Sequence, residues 1–126
     1  MTSQENGTTW KTYYDLKSLK RKRDGIVEIW LKQVPLLKTQ GDKENVRRAI
    51  IKNRKLNKLA TNGYERYRYT TTLIAIDCNR KWGRTISTKD HDESGGLLGT
   101  DTMEEVPWAP IIKGSMPALF LSAVCN

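Results

Sequence analysis

The stretch AIDCNRKWGR, residues 75–84, places a cysteine between an apolar run and a string of basic residues. The chain has 126 residues and one other cysteine, Cys125, which is its next-to-last residue. The segment that leads into Cys78, YERYRYTTTLIAID, is rich in Tyr, Thr and Ile and gives the clearest strand signal in the sequence. Strand alternation places Ile74 and Ile76 on the same face as Cys78. The role of Cys78 at the end of this strand therefore bears on the architecture of the protein and on the cellular compartment in which it folds.

The C-terminal segment, PWAPIIKGSMPALFLSAVCN, has the signature of a helix start. Ser115 can accept hydrogen bonds from the unsatisfied N–H groups of the first turn, and Pro117 has no N–H to lose there. The apolar helix that follows is too short to hold its shape alone. A disulfide between Cys78 and Cys125 would tether it to the strand and would indicate an oxidising compartment. The alternative is two buried thiols in a cytosolic protein.

A second signal predicts a β-hairpin around the turn dipeptide Asp24-Gly25. The strand after the turn alternates, with three apolar residues on one face: Val27, Ile29 and Leu31. We expect Pro35 to end that strand or to mark an edge. The strand before the turn is expected to carry Tyr14 and Leu16 and to end in the basic run KRKR, residues 20–23.

The segment between residues 43 and 60 predicts an amphipathic helix with a strongly positive outer face. Its apolar residues recur at spacings of three, four and seven: Val46, Ala49, Ile50, Leu56, Leu59 and Ala60. Asp42 is a candidate N-cap, and Asn62-Gly63 is a candidate stop. Because Asn53 and Asn57 weaken a helix, an ordered basic loop is the alternative.

After Cys78 the sequence predicts an antiparallel return strand, RTISTKD, reached through a turn near NRKWG. The acidic, glycine-rich stretch DHDESGGLLGTD then predicts a loop or a loose hairpin. His91 has three acidic neighbours there, but adjacent residues of a flexible loop rarely converge on one point. We therefore interpret His91 as an exposed loop residue. Asp77 is expected to accept a hydrogen bond from Arg80 or Arg84.

No motif in the sequence favours an enzyme. No nucleophile motif surrounds a serine, and neither a P-loop nor a Gly-x-Gly-x-x-Gly fingerprint is present. Two cysteines and one histidine give no recognised metal-ligand spacing. We therefore expect no catalytic residue, no cofactor and no metal site. No apolar run approaches the roughly 18–20 residues that cross a bilayer.

The formal net charge of +8 favours an anionic partner, although a solvated basic face is the plainer alternative. The candidate ligand-binding basic residues are Lys20, Arg21, Lys22, Arg23, Arg47, Arg48, Lys52, Arg54 and Lys55. Aromatic and basic residues alternate in YERYRY, a pattern that single-stranded nucleic acid can use. Ordinary cross-strand packing explains the same alternation, and we favour it.

Several pieces taken in order, TWKTYYDLKSL, GIVEIWLKQ, IDCNRKWGR, PWAPIIKGS and the closing AVCN, resemble the surface-adhesin protein E family. These are small exported or lipid-anchored proteins of Gram-negative bacteria, and the resemblance runs from about residue 9 to the end. It implies an α+β fold, an antiparallel sheet of about six strands with a C-terminal helix tethered to one face by a Cys78–Cys125 disulfide. We expect residues 1–8 to form a flexible tail and residues 9–126 a single domain.

The resemblance also implies a function. The best-known member of the family is an adhesin that binds host matrix glycoproteins and can dimerise. Our first hypothesis is a non-enzymatic periplasmic or cell-surface protein that binds a matrix glycoprotein or an anionic envelope glycan. Export is inferred from the resemblance, since the first residues, MTSQENGTT, lack the layout of a signal peptide. The alternative is an intracellular nucleic-acid-binding module, which predicts free thiols.

Overall fold

The computed structural model describes residues 2–5, 7–102 and 106–125, and within them eight strands form one antiparallel sheet. The strands are β1 Thr2–Glu5, β2 Thr8–Tyr14, β3 Lys20–Arg21, β4 Ile26–Pro35, β5 Tyr67–Asp77, β6 Trp82–Asp92, β7 Leu97–Thr102 and β8 Ala109–Pro110. The helices are α1 Gln40–Leu56 and α2 Met116–Val124, with short 3-10 helices at Leu16–Ser18 and Tyr64–Arg66.

The strand order is β1-β2-β4-β5-β6-β7, with β3 paired to β4 and β8 paired to β6. Six strands thus make the main path of the sheet, and the two additional strands have two residues each. The α+β prediction of an antiparallel sheet with a C-terminal helix is confirmed. In the described part of the chain, no helix combines the length and the apolarity that a membrane crossing requires.

The N-terminal residues contribute to the sheet. Residues Thr2–Glu5 form β1, which pairs antiparallel with Thr8–Lys11 of β2. We expected residues 1–8 to form a flexible tail, whereas Thr2–Glu5 and Thr8 have regular strand partners.

Tertiary contacts divide the chain into two compact units. Unit 1 comprises Met1–Tyr13, Lys32–Thr71 and Lys89–Asp101, and unit 2 comprises Tyr14–Leu31, Thr72–Thr88 and Thr102–Asn126.

The predicted hairpin of unit 2 forms around Asp24 and Gly25. Both residues have positive φ, 57° and 77°, which is the geometry of a two-residue turn that matches strand twist. Its second strand is β4, which ends at Pro35 as predicted. Its first strand is shorter than predicted, because only β3 pairs with β4 there. Tyr14 lies instead in β2, and Leu16 lies in a 3-10 helix.

The core of unit 2 lies where β4 and β5 meet α2. Its buried residues are Val27, Ile29, Leu31, Ile74, Ile76, Phe120 and Val124. Cys78 and Cys125 pack against this cluster and form a disulfide, with 5.5 Å between their Cα atoms. The predicted tether between the terminal helix and the strand is therefore confirmed. The nucleic-acid alternative predicted free thiols, and both cysteines are bonded.

The start of α2 departs from the expected capping. Ser115 occupies the N-cap position, and Pro117 lies in the first turn as predicted. Among the described residues, however, the Ser115 side chain makes no cap hydrogen bond, so that prediction is wrong. Pro117 removes one of the two N–H groups from which an N-cap oxygen accepts, and Ser115 Oγ does not bond to the other, that of Ala118.

Unit 1 is built on α1, which confirms the helical interpretation of the 43–60 segment. The N-cap is Thr39 rather than Asp42, and the two residues form a capping box. The Asp42 N–H donates to Thr39 Oγ1 at 3.1 Å, and the Thr39 N–H donates to Asp42 Oδ2 at 3.1 Å. Val46 packs with Tyr64 and Tyr67 in the core of this unit.

The helix ends earlier than the sequence predicted. Asn57 is its C-cap, and Lys58 follows with a φ of 58°. The helix therefore ends before Asn62-Gly63, the predicted stop. Leu56 and Leu59, assigned to the apolar face, are exposed. Ala60 is exposed as well, outside the helix. The helical spacing of these three apolar residues was therefore misleading, because the chain has left the helix before two of them.

The return strand β6 is longer than predicted and includes His91. His91 is therefore a half-buried strand residue, and its assignment to an exposed loop is wrong. Its ring stacks on Tyr69 with 4.6 Å between centroids and lies 3.0 Å from Thr71 Oγ1. These contacts come from the neighbouring strand β5. A sequence window around residue 91 shows only the acidic neighbours and cannot show them.

Candidate ligand-binding surface

The basic residues of α1 divide into two sets according to the helical period. Arg47 and Arg54 are seven residues apart and lie on the side of the helix that carries the buried Val46. Arg48, Lys52 and Lys55 follow at spacings of four and three and are all exposed. The sequence grouped these five cations together, whereas the helix turns two of them inwards and three outwards.

Arg54 lies at the centre of a buried polar network in unit 1. Its Nε donates to the Ala60 carbonyl at 2.6 Å, and its Nη1 lies 3.2 Å from Asp101 Oδ2 and 3.6 Å from Asp90 Oδ2. Its guanidinium carbon is 4.4 Å from the centroid of the Tyr64 ring. The cation is thus paired with two carboxylates and an aromatic face, and it is only 9% exposed.

The network continues through hydroxyl groups. The Tyr64 hydroxyl donates to Asp90 Oδ2 at 2.6 Å, and Thr70 Oγ1 donates to Asp90 Oδ1 at 2.7 Å. Burial raises the pKa of Tyr64, and the hydrogen bond and charge of Asp90 raise it further. Tyr64 therefore stays protonated and donates. A Cβ at Gly99 would lie 2.5 Å from the Tyr64 hydroxyl oxygen, so glycine is what allows this close approach.

Arg47 is also engaged inside unit 1. Its Nε donates to the Tyr67 carbonyl at 3.1 Å, and its guanidinium pairs with Glu93 in the turn between β6 and β7. The hydrogen bond and charge of Arg47 lower the pKa of Glu93. The acidic stretch DHDESGGLLGTD thus supplies carboxylate partners for the inward cations. That Arg47 and Arg54 bind a ligand stays a prediction.

The outward cations surround an apolar cleft. Arg48, Lys52 and Lys55 line a shallow depression together with Ile51 and Leu56. Leu56 is 74% exposed, so its side chain adds apolar area to this surface. The surface therefore combines positive charge with accessible apolar area. We call these five residues the helix-face cluster.

The other predicted cations, Lys20–Arg23, lie in unit 2 on β3 and at the start of the hairpin turn, and all four are exposed. Lys22 Nζ lies 3.9 Å from Glu28 Oε1 across the hairpin. An exposed pair of this kind contributes little to stability. The four residues form a second basic surface, separate from the helix-face cluster in sequence.

Three other sequence-derived candidates have structural roles. Asp77 accepts hydrogen bonds from the backbone N–H groups of Asn79 and Arg80, which organises the turn after β5. Tyr64 lies in a 3-10 helix rather than on the predicted strand face, and Tyr64 and Tyr67 are both buried. The packing interpretation of YERYRY therefore holds for these two tyrosines, since a buried ring offers no stacking surface to a base.

Among the described residues, no group of three or more His, Cys, Asp or Glu could hold a metal ion.

Together, the disulfide-tethered terminal helix and the antiparallel sheet define a small α+β protein suited to an oxidising compartment. A family model described as surface-adhesin protein E matches residues 1–126, the whole chain. The chain belongs to the surface-adhesin protein E family, which makes it a surface adhesin-like protein, exported or at the cell surface. Comparison with curated proteins and with solved structures gives no significant match.

Proposed function

We propose that this protein is a non-enzymatic periplasmic or outer-membrane protein that binds an anionic glycan, such as the sulfated chains of a matrix glycoprotein, through the helix-face cluster. The observation that carries the proposal is the orientation of the basic residues on α1. Two cations are paired internally, while Arg48, Lys52 and Lys55 are exposed around the exposed Leu56 and the half-buried Ile51.

The helix-face cluster offers both positive charge and apolar area. This combination suits a ligand that carries anionic glycan chains on a protein better than it suits a polyanion without apolar groups. Three cations within two helical turns supply a multivalent positive patch, which attracts sulfate or carboxylate groups. Ile51 and Leu56 add an apolar contact that a purely electrostatic patch lacks. Binding of this kind weakens as salt rises, because exposed charges are screened.

The first experiment measures binding to heparin, as a sulfated probe, and to neutral dextran. We expect saturable heparin binding that falls steeply with added salt, and no dextran binding. Replacing the three outward cations (Arg48→Gln, Lys52→Gln, Lys55→Gln) should weaken heparin binding by about tenfold or more at low salt.

The matched control removes three exposed lysines elsewhere: Lys17→Gln, Lys38→Gln and Lys113→Gln. The net charge changes equally, so this variant should keep most of its affinity. Equal losses in both variants would mean that total charge, not the helix-face cluster, determines binding. Affinity that does not change with salt would contradict the electrostatic mechanism altogether.

The nucleic-acid alternative is tested in the same assay with a single-stranded oligonucleotide. Such binding would show a log-linear salt dependence and would compete with heparin. An oligonucleotide that binds more tightly than heparin would favour the alternative over glycan binding.

A further inference from the structure

Unit 2 contains a cavity of about 320 Å³ that the proposed function does not use. It lies against β5 and β6, beside the segment 106–112 and the start of α2. Its size falls at the lower end of the range for small-molecule sites, about 300–1,000 Å³. Apolar side chains form most of the lining, among them Ile74, Ile76, Val106, Pro107, Pro110 and Ile111.

Part of this apolar lining faces solvent. Val106 is 36% exposed and Ile112 is 73% exposed, and both residues line the cavity. Because Ile112 is exposed at the rim of an apolar cavity, an apolar group that enters the cavity would remove part of this side chain from water. The cavity can therefore accept the apolar body of a ligand from solution.

Two polar groups are buried in the same lining. Arg84 Nε and Ser115 Oγ are shielded from solvent and have no hydrogen-bond partner among the described residues. Both residues line the cavity. Buried polar atoms without a partner are rare because they give up water without compensation. Because both residues line one cavity, a ligand that enters it and turns these two side chains towards itself would supply the missing acceptor.

The chemistry of the two groups defines that acceptor. The Arg84 Nε–H can only donate, and the guanidinium stays protonated at any physiological pH. The Ser115 hydroxyl can also donate, and its oxygen makes no cap hydrogen bond to α2. A carboxylate has two oxygens that accept such bonds, and bonds between charged partners are the stronger kind.

We propose that this cavity binds a small monocarboxylate with an apolar body. The carboxylate accepts hydrogen bonds from Arg84 Nε–H and Ser115 Oγ–H, and the apolar body lies against Ile74, Ile76 and Ile111. This ligand site is independent of the helix-face cluster, which lies in unit 1. Loss of glycan binding would therefore leave carboxylate binding intact.

The test is calorimetric titration of the disulfide-intact protein with octanoate, compared with 1-octanol and octylamine. We expect saturable one-to-one octanoate binding, about tenfold or more tighter than 1-octanol and with no binding of octylamine. Arg84→Met should abolish the preference for octanoate while keeping the apolar stem. Arg80→Met is the matched control, because the Arg80 side chain is 73% exposed and lies outside the cavity.

A second measurement uses the unmodified protein, in case Arg84→Met does not fold. The ¹H–¹⁵N resonance of the Arg84 Nε–H should shift on addition of octanoate and reach a plateau. An unmoved resonance would overturn the proposal, as would equal affinities for octanoate and 1-octanol, or equal behaviour of the two arginine variants. Tighter binding of 1-octanol would contradict the carboxylate contact and would identify a purely apolar ligand. The absence of saturable octanoate binding would show that the cavity is not a carboxylate site.

Discussion

At the scale of single residues, Arg54 shows how a basic residue can serve the fold rather than a partner. A buried cation is tolerated only when its donors and its charge are satisfied. Asp90 and Asp101 supply the opposite charges, the Ala60 carbonyl takes the Nε–H, and the Tyr64 ring covers the guanidinium. Removal of the cation leaves both carboxylates without their positive partner.

We predict that Arg54→Met lowers the free energy of unfolding by about 3 kcal/mol, the magnitude expected when one partner of a buried ion pair is lost. Urea denaturation followed by circular dichroism measures the change. Arg48→Met makes the same chemical replacement at an exposed position of the same helix, and it should change stability by less than about 0.5 kcal/mol. Similar losses in both variants would show that the Arg54 network contributes nothing specific.

At the scale of elements, α1 performs two tasks with one sequence. Its inward side packs Val46 on the tyrosines of unit 1 and directs Arg47 and Arg54 to their carboxylate partners. Its outward side presents the helix-face cluster. Since adjacent residues point about 100° apart on a helix, Arg47 and Arg48 belong to different sides. The capping box at Thr39 fixes where the helix begins, and the packing of Val46 decides which side faces outwards.

We predict that Thr39→Ala destabilises the protein by about 1 kcal/mol, because the Asp42 N–H loses its side-chain acceptor. Thr39→Ser keeps the hydroxyl and should restore most of the stability. Thermal unfolding of the three proteins in parallel gives the comparison. An alanine variant as stable as the serine variant would contradict the role of the capping box.

At the scale of the whole molecule, the Cys78–Cys125 disulfide connects the C-terminus to the middle of the chain, across a sequence separation of 47 residues. The helix that it tethers has nine residues, too few to be stable in isolation. Phe120 and Val124 hold that helix on the core from one side, and the disulfide fixes its last turn. The disulfide and the apolar contacts of Phe120 and Val124 therefore hold the same helix, α2, in place.

We predict that replacing both cysteines (Cys78→Ala with Cys125→Ala) lowers the free energy of unfolding by about 4 kcal/mol, because the unfolded chain regains the entropy of a closed loop. The loss is large beside a total stability of about 5–15 kcal/mol for a domain. Denaturant titration measures it, and the unaltered protein under reducing conditions is the control. Intact mass after alkylation without reductant should show two unmodified cysteines. Alkylation of both on unfolding alone would rule out the bond.

Much of the fold could be predicted because its signals are local. The alternation of Val27, Ile29 and Leu31 indicates a strand with one buried face, and Asp24-Gly25 indicates the turn before it. The cysteine at the end of the best strand and the cysteine at the chain end indicated the tether. The strand and the turn need only a short window of sequence, since strand period and turn geometry are properties of neighbouring residues. The tether rested on the placement of the two cysteines and on the family resemblance.

The division of the basic residues could not be predicted in the same way. The helical segment was identified, but its N-cap, its end and the partners of Arg47 and Arg54 were not. Those partners, Glu93, Asp90 and Asp101, lie far along the chain on other elements. The same is true of His91, whose contacts come from β5.

By itself, then, the sequence determined the class of fold, the main hairpins, the position of the basic helix and the disulfide. Only the tertiary structure decided which cations are paired, which face solvent, and that Arg84 and Ser115 line one cavity. The physical reason is that local periodicity depends on residues a few positions apart. The pairing of a charge depends on which distant groups the folded chain brings within a few ångströms.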